Sequence, residues 1–61
     1  MILFQPLETG KAKAYCMHAG KVAWSVIGQE NEIARAVSHA NDSGASGSKQ
    51  LYIAFIATYQ A

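Results

Sequence analysis

The stretch "QLYIAFIATYQ", residues 50–60, decides the fold. Taken as alternating residues, Leu51, Ile53, Phe55, Ala57 and Tyr59 point one way, and Tyr52, Ala54, Ile56 and Thr58 the other. Both sets are mainly apolar. A short apolar run of this kind, rich in aromatic and β-branched residues, predicts a strand covered on both faces.

Upstream lies "NDSGASGSKQ", residues 41–50, whose glycines and serines predict a flexible loop. Before it, "GQENEIARAVSHAND" predicts a helix. Ile33, Val37 and Ala40 recur at i, i+4 and i+7, and Ala34 and Ala36 widen the stripe. Glu30 and Glu32 fall in the first turn and His39 near the last, the order a helix dipole favours. The stripe is mostly alanine, so this helix needs a close neighbour.

The stretch "AYCMHAGKVAW", residues 14–24, supplies that neighbour. It predicts a β-hairpin turning at Ala19-Gly20, because Gly20 tolerates the positive φ of a tight turn. Ala19 suits such a turn less well, which predicts a slightly longer loop. Centred there, Met17 faces Val22, Tyr15 faces Trp24 and Lys13 faces Val26. One side then carries Tyr15, Met17, Val22, Trp24 and Val26. The other carries Ala12, Ala14, Cys16, Ala23 and Ser25, with Ile27 at its end. Small side chains let a helix backbone approach closely. "ILF", ahead of Pro6, predicts a short edge strand. The expected fold is therefore α+β: one domain over residues 1–61, order β-β-β-α-β, with a mainly antiparallel sheet and one helix on one face.

A chain of 61 residues buries only about 60% of its unfolded surface. Small domains compensate with disulfides, a metal or a partner. Cys16 is the only cysteine, so no internal disulfide forms, and a lone thiol fits a reducing compartment. With 51% apolar residues, oligomerisation is the natural support. The opening "MILFQPLE" lacks the basic start of a signal peptide, and no apolar run reaches the ~20 residues of a membrane helix. The expectation is a cytoplasmic protein with no membrane segment.

Catalytic constellations are poor. Cys16 and His18 share a strand side, and His39 and Asp42 stand at i and i+3 on the helix. One cysteine and two histidines fall short of a structural zinc set. Cys16 lies among alanines, the setting of an inert packed thiol. "SGASGSK" matches neither a phosphate-binding loop nor a nucleophile elbow, since its glycines are too close together. Glu30 and Glu32 diverge on a helix. No catalytic residue, cofactor, metal or small-molecule substrate is expected.

The remaining constellation is Lys11, Lys13, Tyr15, Met17 and Trp24, expected as a partner-binding set. Tyrosine and tryptophan dominate protein-binding hot spots. The leading expectation is a small non-catalytic interaction module, an inhibitor or adaptor that docks on a larger protein and is itself a homodimer. The alternative is nucleic-acid binding through the basic, aromatic hairpin 11–28, by phosphate contacts and base stacking. An enzyme would need a site assembled across subunits.

Overall fold

The computed structural model describes residues 1–60. Three strands come first: β1 (Ile2–Pro6), β2 (Lys11–His18) and β3 (Lys21–Gln29). Two helices follow, α1 (Glu30–Asp42) and α2 (Ser48–Tyr59). The strands form one antiparallel sheet in the order β1-β2-β3. The fold is α+β, but the order is β-β-β-α-α, with two helices where one was expected.

The correction lies in residues 48–59. Leu51 and Phe55, spaced i and i+4, are the buried residues of α2. Ala54 and Ala57 favour helix, and no proline or glycine interrupts the run. The helix is apolar nearly all round, so Tyr52 and Ile53 stay exposed and the period of 3.6 is masked. α1 continues through Asp42 and α2 begins at Ser48, so the connection is Ser43–Gly47 and not 41–50. Ser43 organises its start: its hydroxyl donates to the Ala40 carbonyl at 2.6 Å and accepts from the Ala45 N–H at 3.2 Å.

The β2–β3 turn is the two-residue Ala19-Gly20, with His18 paired to Lys21. Both turn residues have positive φ, 53° for Ala19 and 78° for Gly20. The loop is no longer than two residues, and Ala19 bears the steric cost of a left-handed conformation.

The register departs from expectation one step beyond the turn. Met17 pairs with Val22, but Cys16 pairs with Trp24, Ala14 with Val26 and Lys13 with Ile27. Ala23 is the extra residue of a β-bulge. It moves Trp24 and Val26 to the side of Ala12, Ala14 and Cys16, and Ser25 and Ile27 to the side of Tyr15. The expected Tyr15–Trp24 and Lys13–Val26 pairs do not form.

Both helices cover the side that carries the small residues. Ile2, Ala12, Ala14 and Cys16 from the sheet meet Ile33, Ala36, Val37 and Ala40 from α1 and Leu51 and Phe55 from α2. Three further contacts fix the helices. The Glu30 N–H donates to the Gly10 carbonyl at 2.9 Å, so α1 leaves directly from the last rung of the sheet. The Asn41 side chain accepts from the Ile2 N–H at 2.8 Å and donates to the Ile2 carbonyl at 3.0 Å, which clamps the end of α1 to β1. Near the end of α2, Tyr59 lies where a Cβ on Gly28 would stand: its Cζ is 3.0 Å from that position.

Two outcomes test this packing. Ala19→Gly relieves the turn and is expected to raise unfolding stability in a denaturant titration by about 1 kcal/mol; a loss would contradict the turn geometry. Gly28→Ala is expected to cost about 1–3 kcal/mol, and much less in a Tyr59→Ala background. An equal cost in both backgrounds rules out the Tyr59 contact.

Candidate protein-binding face

Strand parity sorts the expected binding residues into two groups. Ala12, Ala14 and Cys16 are buried under the helices, so the odd residues of β2 face outward. Lys11, Lys13, Tyr15 and Met17 are thus brought together on the outer face of the sheet. Trp24, the cross-strand partner of Cys16, faces the helices.

Trp24 has a structural environment of its own. Its indole N–H donates to the Ser48 carbonyl at 2.9 Å, at the first turn of α2. Its ring meets Tyr52 edge-on at 5.2 Å and Phe55 at 5.4 Å, and Phe55 stacks on Tyr59 at 5.4 Å. Four aromatic rings therefore run in a chain along the β3–α2 junction. They join the half-buried flank of the molecule to Phe55 in the core.

Among the described residues no helix covers the outer face. From β1 it takes Leu3, from β2 Tyr15 and Met17, and from β3 Val22 and Ile27. Leu3 is 38% exposed, Met17 43%, Val22 54% and Ile27 60%, so these are large apolar side chains in water. Cross-strand pairing sets Leu3 beside Tyr15 and Tyr15 beside Ser25. Lys13, between Gln5 and Ile27, holds its Nζ 5.8 Å from the centre of the Tyr15 ring. That distance is in cation–π range. The face is apolar towards the Ala19-Gly20 turn and basic towards Lys11 and Lys13.

Leu3 and Ile27 were not singled out from the sequence. Leu3 could have been found by extending the alternation of β2 across to β1. Ile27 changes side through the bulge, which no residue type in "KVAWS" signals.

The residues weighed for chemistry lie apart. Cys16 is buried in the core, while His18 is exposed at the turn and His39 and Asp42 are exposed on α1. Among the described residues no three His, Cys, Asp or Glu side chains gather as a metal set, and no pocket opens. No helix among them is long and apolar enough to cross a membrane. No protein-family model, curated protein or solved structure gives a significant match to this chain. The class defined by the structure is thus architectural: a three-stranded antiparallel sheet with two helices on one face and the other face bare.

The two sides of the sheet respond differently to substitution. Trp24→Phe keeps a ring on Phe55 but removes the bond to Ser48, with an expected loss of about 1 kcal/mol. Met17→Ala and Val22→Ala are expected to stay within about 0.5 kcal/mol of the parent, as surface changes do. Thermal or denaturant unfolding measures all three. The reverse ranking contradicts the assignment of faces.

Proposed function

We propose that the protein is a non-catalytic interaction module that docks on a larger protein through the outer face of its sheet, as an inhibitor or adaptor. The supporting observation is the cluster of exposed Leu3, Met17, Val22 and Ile27 around half-buried Tyr15 on one face, flanked by Lys11 and Lys13. A contiguous apolar patch with a polar rim is the usual anatomy of a protein-binding surface. Its aromatic residue, Tyr15, has the Lys13 ammonium within cation–π range. Of the expected binding set, Lys11, Lys13, Tyr15 and Met17 remain in this reading. Trp24 serves it indirectly, by holding α2 on the opposite side.

Nucleic-acid binding through the hairpin is the weaker reading. Stacking platforms use successive aromatic rings. With Trp24 turned to the helices, the outer face of the hairpin offers Tyr15 alone. The chain's formal net charge is only +1.

The test is affinity capture from the native cell extract with three proteins: the parent, Met17→Glu, and Lys11→Ala/Lys13→Ala. The expected result is a stoichiometric protein partner retained by the parent and lost by more than tenfold with Met17→Glu, while circular dichroism shows both folded. Binding of DNA or RNA that falls steeply with salt and vanishes with the double lysine variant would overturn this in favour of the alternative. Equal partner recovery by parent and Met17→Glu would remove the outer face from the account.

A further inference from the structure

The two edges of the sheet are built differently, and the difference points to a second copy of the chain. On β1, the Leu7 N–H donates to the Lys11 carbonyl at 2.8 Å, so odd residues of that edge point their backbone at β2. Ile2, Phe4 and Pro6 point away. Asn41 already satisfies both backbone groups of Ile2, and Pro6 has no N–H. Only Phe4 offers both a free donor and a free acceptor there. A side-chain amide and a proline blunt an edge against further strands.

The β3 edge has no such protection. The Glu30 N–H donates towards β2, so Trp24, Val26 and Gly28 also direct their backbone at β2. Ser25 and Ile27 point theirs away, to the side where no strand lies. Among the described residues these groups have no hydrogen-bond partner. Ser25 and Ile27 are both exposed, on the face of the sheet opposite the helices. Between Lys21 and Glu30 the strand has no charged residue and no proline, and its bulge at Ala23 lies outside residues 25–27.

We infer that β3 pairs antiparallel with β3 of a second copy across a twofold axis near Val26, to form a continuous six-stranded sheet. The inference rests on reading the protein as an interaction module and names one of its partners as itself. With Val26 at the axis, Ser25 faces Ile27 of the second copy, and each pair exchanges both backbone bonds. Charge agrees with this direction. Lys21 at the start of β3 comes level with the start of α1 of the second copy, where Glu30 and Glu32 are both exposed. A parallel arrangement would set Lys21 against Lys21. Since β1 is blunted, each molecule has one open edge, so association closes at a dimer and does not run on into a fibre. The bare outer faces of the two copies become one wider surface.

Sedimentation over a concentration series tests this, with Ser25→Pro and Ser25→Ala. Proline at 25 removes an outward N–H and leaves the β2–β3 bonds intact, since those come from the even residues. The parent and Ser25→Ala are expected at twice the 6.5 kDa chain mass. Ser25→Pro is expected folded by circular dichroism and at the single mass, while Met17→Glu still dimerises. A parent that stays monomeric at all concentrations, or a folded Ser25→Pro that still dimerises, would overturn the inference. Should Ser25→Pro fail to fold, amide hydrogen exchange on the parent decides. Protection at Ser25 and Ile27 must rise at least tenfold with concentration, and unchanged protection refutes the edge pairing. A dimer that fails while Met17→Glu still loses its captured protein would strike the edge alone and leave the outer-face reading standing.

Discussion

Cys16 is paired with Trp24 and Met17 with Val22, so Ala23 has no partner of its own. That one residue sets the sides of everything beyond it in β3. Side chains alternate with a period of two, and a slip of one residue exchanges the faces of a strand. Through it Trp24 and Val26 join Ala12, Ala14 and Cys16, and the hairpin gains bulk on the side that was otherwise nearly all alanine. Without it, the largest side chain in the chain would stand in water and α2 would lose its aromatic neighbour. The bulge is thus what converts a thin ribbon into a surface that two helices can cover.

The rest of the core follows from size matching. The alanines of β2 let the Ile33, Ala36, Val37 and Ala40 stripe of α1 come close. The larger residues of β3 sit where α2 stands, with Phe55 bridging Trp24 and Tyr59. Gly28 continues the accommodation, having no side chain where Tyr59 lies. Both helices are spent on one side, so the apolar residues on the other side remain exposed. Among the described residues no further element covers them.

Much of this was legible in the sequence. The hairpin turn, the short edge strand ahead of Pro6, and α1 with its Ile33, Val37 and Ala40 stripe all carried local signals. Two features did not. The α2 run is apolar on nearly every side, so Leu51 and Phe55 fit an i, i+4 helix and a same-face strand equally well. Its state is decided by what it packs against. The bulge was hidden for a similar reason: Ala23 is neither a glycine nor a special turn former, and only the need to cover Trp24 selects it. The candidate face was correspondingly half legible. Lys11, Lys13, Tyr15 and Met17 share a strand and were grouped by simple alternation, whereas Trp24 and Ile27 lie beyond the bulge and exchanged sides.

The account of core, bare face and open edge therefore stands on the β2–β3 register. Nuclear Overhauser contacts between α-protons read that register directly, because those protons come close only in the non-hydrogen-bonded pairs of an antiparallel ladder. The structure predicts strong contacts from Tyr15 to Ser25 and from Lys13 to Ile27. Contacts from Tyr15 to Trp24 and from Lys13 to Val26 would contradict it, since they would return Trp24 to the outer face.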